Sequence, residues 1–179
     1  GKRLAQLVGH WIRVGFCQGN FNSDNCSIGG FTLDYGPFGL MEEFDPEYQP
    51  WTGGGLHYSF LQQPNAAAQN FKMLCVAVMP LLTDHGERGE IYLKRLQKLL
   101  QDFPSIMIAA VQETFSLKMG LKKFDHHLYE SLIKTMNSTS SVSVDWTIFW
   151  RKLSDIPKEG SELRDAFYDN TTGEKNAKS

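Results

Sequence analysis

The sequence predicts a single α+β domain that is mainly helical and carries one short β-hairpin. Its 179 residues fall within the usual range for one domain. Along most of the chain, apolar residues recur every three or four positions, a spacing typical of helices that bury one face. Two short β-prone runs, residues 26–28 and 31–33, are the exception. They are joined by Gly29-Gly30, a pair that favours a two-residue hairpin turn.

The first segment predicts an amphipathic helix over residues 1–16 that ends near residues 14–16. A loop with the sequence CQGNFNSDN follows and leads into the predicted hairpin. The second strand should end at Asp34, because a Gly and a Pro follow closely. Residues 37–65 are rich in Gly, Pro and aromatic residues, which predicts a long irregular segment that is either functional or packed against the domain. The predicted helix face consists of Leu4, Leu7, Val8, Trp11 and Ile12.

Helices are also predicted through the middle of the chain. Residues 65–82 are moderately apolar, and residues 92–103 carry a clear helical face. Pro104 is expected to break the chain there, because proline lacks the backbone N–H that an α-helix needs. A new helix should begin at Ser105 and end at Gly120, which is a suitable C-cap.

The C-terminal third predicts two more helices and a tail. Asp125 is placed to cap the first of them, and a Ser- and Thr-rich link at residues 137–141 follows. The last helix is predicted around the aromatic residues 146–153, whose stripe is expected to be core. Residues 158–179 are polar and predicted to be frayed, so the predicted domain covers residues 1–157.

Composition argues against several classes of partner. The formal net charge of −2 does not fit a general nucleic-acid binder, which is expected to be distinctly basic. We see no apolar run of the roughly 18 residues that cross a bilayer, so no membrane partner is predicted. Cys17, Cys26 and Cys75 are too few for a disulfide scaffold and odd in number, which favours a reducing compartment and inert thiols.

The residues that indicate chemistry directly precede and follow the two strands of the predicted hairpin. If the strands pair, Asn25 and Asp34 lie at the same end of the hairpin. An amide oxygen and a carboxylate are hard ligands that suit Mg²⁺. Asp24 could then act as a base on a reacting hydroxyl. A structural interpretation stays open, in which Asp24 and Asn25 only form a turn or a cap and Asp34 only ends a strand.

The spacing of these residues resembles the protein-kinase arrangement, in which an H-R-D-x-x-x-x-N loop precedes a hairpin that ends in D-F-G. Gln18 and Gly19 then fall on the His and Arg, and Asn20 falls on the catalytic Asp. Asn25 falls on the metal-binding Asn, and the DYG sequence that starts at Asp34 falls on D-F-G. The metal ligands are kept, but an amide replaces the kinase base. This pattern indicates a kinase-like fold without ordinary kinase catalysis.

A more specific resemblance covers residues 14–51, VGFCQGNFNSDNCSIGGFTLDYGPFGLMEEFDPEYQPW. This segment resembles the selenoprotein O family, also called the YdiU or protein nucleotidyltransferase family. The DYGPFG and NxDN elements together carry the resemblance, which continues more weakly to about residue 153. The chain departs from the family pattern at Gln18, Asn20 and Ser23, where the family has His, Val and Thr.

The resemblance implies a protein-kinase-like, mainly helical C-lobe in a pseudokinase-like protein. Such proteins use ATP as substrate, with Mg²⁺ or Mn²⁺ as cofactor, and transfer AMP to Ser, Thr or Tyr hydroxyls of protein substrates. It implies Asp24 as proton acceptor and Asn25 as metal ligand. It further implies that Asp34 contacts both the metal and the nucleotide. Family relatives are mitochondrial in many eukaryotes, so we expect a mitochondrial or cytoplasmic location.

The resemblance also implies a small lobe with a Gly-rich loop, a nucleotide-binding Lys and a paired Glu. None of these can be placed in this sequence, which begins at Gly1 in a predicted helix. We therefore expect a fragment in which most ATP contacts lie outside the chain. The alternative is a non-catalytic pseudokinase remnant or binding module. A small-molecule phosphotransferase is the third option, although Asn20 at the kinase Asp position argues against it.

Overall fold

The computed structural model describes residues 1–36, 39–83, 86–137, 142–155 and 163–169, and it confirms a mainly helical α+β fold. The helices are amphipathic and pack around one core, with α1 and α2 both lying against α3. The helices are α1 (Lys2–Val14), α2 (Gln63–Thr83), α3 (Gly86–Lys118), α4 (His126–Asn137) and α5 (Trp146–Asp155), and the strands are β1 (Val142–Val144) and β2 (Phe167–Asp169).

Helix α1 forms and ends as the sequence predicts. Its buried face includes Val8 and Ile12, both of which are fully buried. The chain leaves the helix through Gly15, which has a φ of +76°. The N–H groups of Gly15 and Phe16 donate to the carbonyls of Ile12 and Trp11. This is a Schellman motif, in which glycine adopts the left-handed conformation at little steric cost.

Helix α3 runs unbroken through Pro104, so the predicted break at that residue is wrong. A proline inside a helix costs about 3 kcal/mol, because it removes one backbone hydrogen bond and crowds the preceding turn. Packing on both sides offsets this cost. Phe103 is fully buried and stacks on Phe71 of α2, with ring centres 4.3 Å apart, and Met107 is buried one turn later. Each such side chain contributes about 1.5–3 kcal/mol of burial.

The ends of the later helices follow their local signals. Gly120 has a φ of +68°, and its N–H donates to the Leu117 carbonyl at 3.2 Å. The next N–H, of Leu121, donates to Ser116 at 2.8 Å, so the predicted C-cap is confirmed. The carboxylate of Asp125 accepts a hydrogen bond from the Leu128 N–H at 2.9 Å, which confirms the predicted cap of α4.

The predicted hairpin at residues 26–33 is not formed, and this prediction is wrong. A turn remains, in which the Gly30 N–H donates to the Ser27 carbonyl at 3.2 Å, but residues 26–28 and 31–33 do not pair as strands. A hairpin gains stability from a buried face, and an isolated two-stranded one is marginal in water. Here the apolar side chains of the segment face solvent. The exposed residues are Ile28, Phe31 and Leu33.

The sheet lies elsewhere, between β1 and β2, and the sequence analysis did not predict it. The two strands are antiparallel and pair Val142 with Asp169 and Val144 with Phe167. Buried Asp145 follows β1 directly. Its carboxylate accepts hydrogen bonds from the Ile148 N–H, at 2.7 Å, and from the Tyr168 hydroxyl.

The structure describes only part of the predicted polar tail, residues 158–179. Within that tail, residues 163–169 fold back as a 3-10 turn and β2. The link at residues 138–141 and residues 170–179 lie outside the described residues. The division at residue 157 therefore stays a prediction.

Trp146 of α5 lies at the centre of the aromatic core, which confirms the prediction that the aromatic stripe of this helix is buried. Its ring is 1% exposed. It stacks on Phe44 with ring centres 5.2 Å apart and meets Phe60 edge-on at 5.4 Å. Phe115 of α3 and Trp150 also contact it. The segment of residues 39–62 is thereby fixed to the helices, although it has little regular structure.

One segment, Phe60–Thr83, is long and apolar enough to cross a membrane by length and composition, which corrects the prediction that the chain has no such run. Only 28% of its most apolar stretch is buried inside the fold. A helix in the core of a protein outside the membrane can be equally long and apolar, so these two properties are weak evidence for a membrane span. Helix α2 contributes buried Gln63, Ala67 and Phe71 to the interior. The expectation of no membrane partner stays a prediction.

Candidate functional site

The loop at residues 17–25 begins where α1 ends and is fixed there by a second chain segment. The Cys17 N–H donates to the Gly39 carbonyl at 2.7 Å, and the Met41 N–H donates to the Gly15 carbonyl at 2.8 Å. The approach is so close that a Cβ on Gly39 would lie 2.0 Å from the Cys17 carbonyl oxygen. Glycine is therefore required at residue 39 for this contact to form.

Gln63, at the start of α2, holds the same part of the loop from the other side. Its side chain is 0% exposed. Its Oε1 accepts the N–H of Gln18 at 3.0 Å, and its Nε2 donates to the carbonyls of Phe16 and Phe60 at 3.0 and 3.1 Å. Buried backbone groups need such partners where no regular structure supplies them. Gln63 thus supplies hydrogen bonds to backbone groups that a helix or a sheet would otherwise satisfy.

Other amide side chains complete the support. The Nδ2 of buried Asn70 donates to the Phe21 carbonyl at 2.9 Å, and the Nε2 of Gln49 donates to the Gly19 carbonyl at 2.9 Å. Gln18 belongs to the same network, since its Oε1 accepts the Asn20 N–H at 2.8 Å. At the position where the family resemblance has a His, Gln18 therefore stabilises the loop.

Asp24 and Asn25 lie together in a single 3-10 turn, Ser23–Asn25. The side chain that caps this turn is Asn22, whose Oδ1 accepts the N–H groups of Asp24 and Asn25 at 3.0 and 3.2 Å. The Asp24 carboxylate is exposed and is not used for capping. The Nδ2 of Asn25 donates to the Asn20 carbonyl at 2.9 Å, which leaves its Oδ1 as the atom available to a ligand.

Asp34 lies on a separate extended segment that is also tied to α1. Its Oδ1 accepts the Gly36 N–H at 2.9 Å, an Asx turn, and the residue is exposed. Two contacts hold the segment. The Nε1 of Trp11 donates to Thr32 Oγ1 at 2.9 Å, and the ring of the residue after Asp34, Tyr35, lies edge-on to Phe16 at 5.4 Å.

The structure brings Asp24 and Asn25 together but does not join them to Asp34. Within the described residues, no hydrogen bond links Asn25 to Asp34, and the hairpin that was expected to pair them is absent. A cavity of about 310 Å³ adjoins the loop and is lined by Ser23 and Cys26, but none of the three predicted site residues lines it. The assignment of Asp24, Asn25 and Asp34 therefore stays a prediction.

A metal at this position would need oxygen ligands from the substrate. Among the described residues, no group of three or more His, Cys, Asp or Glu side chains is placed to hold a metal ion. One amide oxygen and one carboxylate are fewer protein ligands than a closed cage has. They are enough for Mg²⁺ when phosphate oxygens supply the remainder.

Of the two thiols beside the loop, that of Cys17 is buried and that of Cys26 is partly exposed. Burial raises the pKa of Cys17 to about 11, and burial also raises the pKa of Cys26. The Sγ of Cys17 lies 3.3 Å from the Tyr58 carbonyl oxygen and 3.4 Å from that of Tyr48, so both acceptors are within reach of its single S–H donor. Because the thiolate is the reactive form, these surroundings favour inert thiols at neutral pH.

The amides that hold the loop were missed by the sequence analysis. Gln63, Asn70 and Gln49 lie 30 to 49 residues along the chain from the residues that they contact, which are Gln18, Phe16, Phe21 and Gly19. The bonds from Gln63 to Gln18 and to Phe16 span 45 and 47 residues. The bond from Asn70 to Phe21 spans 49 residues, and the bond from Gln49 to Gly19 spans 30. The one available signal was a polar residue on the buried face of the predicted helix at residues 65–82, where Asn70 shares a face with Ala66 and Ala67.

Comparisons with known proteins place the chain in a family. The family profile described as "Protein adenylyltransferase SelO" matches residues 2–177. The chain is 36% identical over 178 residues to the "Protein nucleotidyltransferase YdiU" of Xanthomonas campestris pv. campestris (strain B100), which covers 95% of this chain and 32% of that protein. The protein of the same name from Variovorax paradoxus (strain S110) is 38% identical over 176 residues, covering 94% and 33%.

A third relative of that name, from Rhodopirellula baltica, is 35% identical over 161 residues and covers 87% of this chain and 28% of its own length. The chain thus spans about a third of the length of these curated relatives. The profile match covers nearly the whole chain and confirms the resemblance seen in residues 14–51. This chain therefore belongs to the SelO family.

Proposed function

We propose that the protein carrying this chain is a nucleotidyltransferase that moves AMP from ATP to Ser, Thr or Tyr hydroxyls of protein substrates. The observation that carries the proposal is the orientation of the loop side chains. Asn25 uses its Nδ2 on the Asn20 carbonyl and keeps Oδ1 for a ligand, beside the exposed carboxylate of Asp24. Family membership supplies the reaction class, since the matched profile and relatives are named for nucleotide transfer.

The donor set fits a hard divalent cation such as Mg²⁺ or Mn²⁺. Asn25 would contribute Oδ1, and Asp34 would contribute the oxygen that is not engaged by the Gly36 N–H. Mg²⁺ in proteins binds one or two such oxygens and keeps water and substrate phosphates as its other ligands. When bound, the cation neutralises charge that develops on the phosphates.

Asp24 is proposed as the group that accepts the proton of the attacking hydroxyl. The hydroxyl oxygen forms a bond to the α-phosphorus of ATP, the bond to pyrophosphate breaks, and the hydroxyl proton passes to the Asp24 carboxylate. Exposure suits this role because the hydroxyl belongs to another protein and must reach the carboxylate. The fixed backbone also suits it, since the Asn22 cap and the bonds from Gln63 and Asn70 restrict where Asp24 can lie.

We propose that the rest of the nucleotide site lies in parts of the family's length that this chain does not span. The chain covers about a third of its curated relatives. Its described residues correspond in this proposal to a kinase-like C-lobe, and a small lobe would cradle ATP. The isolated chain should then bind ATP weakly.

Labelled ATP distinguishes the proposed reaction from phosphate transfer. The protein that carries this chain is incubated with Mg²⁺ and a protein acceptor, once with ATP labelled on the α-phosphate and once with ATP labelled on the γ-phosphate. AMP transfer predicts label only from the α-phosphate, and Asp34→Ala should abolish it. Asp45→Ala is the matched control, because exposed Asp45 also forms an Asx turn, with the Glu47 N–H at 2.8 Å. Label from the γ-phosphate, or full activity of Asp34→Ala, contradicts the proposal.

The second candidate is a non-catalytic binding module that keeps the fold. It is favoured by the observation that Asn25 and Asp34 make separate local hydrogen bonds and do not line the cavity next to the loop. In the same experiment, a binding module predicts no incorporation from either label by a protein that is folded. Incorporation that depends on Asp34 excludes it.

A further inference from the structure

A second cavity, of about 450 Å³, lies between α1, α3 and α5, and residues 17–36 do not line it. Its volume falls in the range of small-molecule sites, roughly 300–1,000 Å³. Its walls combine charged groups with one aromatic face. The groups that matter here are His10, Arg13, Glu113, Thr114, Lys118 and Trp150.

Lys118, at the end of α3, is the partly buried cation of this cavity. Its Nζ donates to the Arg13 carbonyl at 2.7 Å and lies 4.5 Å from the centre of the Trp150 ring and 5.2 Å from that of Trp146. The hydrogen bond uses one of the three donors of an ammonium group. Burial and the nearby Arg13 charge lower the pKa of Lys118 to about 8.

The two cations share no acidic partner. Among the described residues, neither Arg13 nor Lys118 takes part in an ion pair. Of the described residues that line the cavity, only Glu113 is acidic, against Arg13, Lys118 and the imidazole of His10. Two like charges in a partly buried site repel each other, and a bound anion would remove that repulsion. Thr114 carries no charge that could offset this repulsion, and its hydroxyl donates to the Ala110 carbonyl.

We propose that this cavity binds a small molecule through an oxyanion, a carboxylate or a phosphate, that pairs with the guanidinium of Arg13 and the ammonium of Lys118. Arg binds both kinds of oxyanion through paired N–H donors, and Lys adds a compact positive charge. The remaining volume accepts an uncharged part of the ligand beside Trp150. This inference does not depend on the proposed function, because the cavity shares no residue with Asp24, Asn25 or Asp34.

Titration of the 179-residue chain with defined anions tests the proposal. Inorganic phosphate, glycerol phosphate and succinate are added separately, and binding is followed by the NMR signals of the backbone and of the Trp indoles. Arg13→Gln and Lys118→Met should each weaken binding about tenfold or more, because each removes a charge-assisted hydrogen bond. Lys122→Met is the matched control, since Lys122 is exposed and does not line the cavity.

The result decides between the two ligand chemistries as well. Tighter binding of either phosphate compound identifies a phosphate ligand, and tighter binding of succinate identifies a carboxylate. The proposal is overturned if none of the three anions binds at millimolar concentration, or if Arg13→Gln binds them as well as the unaltered chain. Arg13 is exposed, so this variant keeps the test valid even if Lys118→Met does not fold.

Discussion

Replacing Gln63 by Met should destabilise the chain strongly, because this one amide supports backbone groups from three places. It accepts the Gln18 N–H and donates to the carbonyls of Phe16 and Phe60. Met fills a similar volume but offers no comparable donor or acceptor. The change therefore isolates the hydrogen bonds from the packing of the side chain.

The expected cost follows from the number of groups that lose a partner. A buried donor or acceptor left unpaired costs about 1–3 kcal/mol. With three bonds lost at a side chain that is 0% exposed, Gln63→Met should lower the free energy of unfolding by about 3 kcal/mol or more. Since domains are stable by only about 5–15 kcal/mol, this is a large fraction of the total.

Chemical unfolding monitored by circular dichroism measures this difference directly. Gln62→Met is the matched control, because Gln62 is the adjacent residue of the same type and is exposed. That variant should stay within about 0.5 kcal/mol of the unaltered chain. If Gln63→Met is no less stable than Gln62→Met, then Gln63 does not support the loop as described.

Three further predictions concern single residues around the core and the loop. Cys17 should react with iodoacetamide at pH 8 more slowly than the partly exposed Cys26, because Cys17 is fully buried and its pKa is about 11. Mass spectrometry measures both rates, and equal rates would contradict this prediction. The pKa of Lys118 is about 8 in the fold and 10.5 ordinarily, so between those values this residue binds fewer protons in the folded state and contributes a rise in stability with pH. Lys118→Met should remove that rise and Lys122→Met should keep it, as measured by denaturant unfolding across this pH range. Gly39→Ala should cost about 1–3 kcal/mol, because its Cβ would meet a backbone carbonyl oxygen at 2.0 Å; unchanged thermal unfolding would refute the close contact.

Helix positions and ends could be predicted where the signal is local. The apolar stripe of α1, the C-cap at Gly120 and the cap at Asp125 each depend on a few neighbouring residues. Pro104 was misread because burial of Phe103 and its neighbours, which depends on other helices, outweighs the local preference of proline. Local propensity is a weak guide wherever tertiary packing decides.

The hairpin failed for a related reason. Gly29-Gly30 correctly indicates a turn, but strand pairing also needs a buried face, and the sequence alone does not show that Ile28 and Phe31 are exposed. The sheet that does form joins β1 to β2, whose paired residues are more than 20 positions apart. No local pattern marks such a pairing.

The motif indicated the candidate site residues, but it did not indicate the side chains that hold their loop in place. Motif spacing placed Asp24 and Asn25 in a loop, and in the structure they lie in one 3-10 turn, while their role in a site stays a prediction. The buried amides of Gln63 and Asn70 hold that loop from α2, and only the folded chain brings them to it. A motif thus identifies the exposed side chains, whereas long-range hydrogen bonds determine where those side chains lie.

The most direct test of the central claim is whether Asn25 and Asp34 share one divalent cation. In the protein that carries this chain, Mn²⁺ with ATP broadens the NMR signals of nearby protons, so the Nδ2 protons of Asn25 and the Gly36 N–H, which donates to Asp34, report on the two residues. We predict that both signals broaden at the same Mn²⁺ concentration and that Asp34→Asn abolishes the effect at both, whereas Asp45→Asn does not. Broadening at only one of them, or at neither, would contradict a shared metal site.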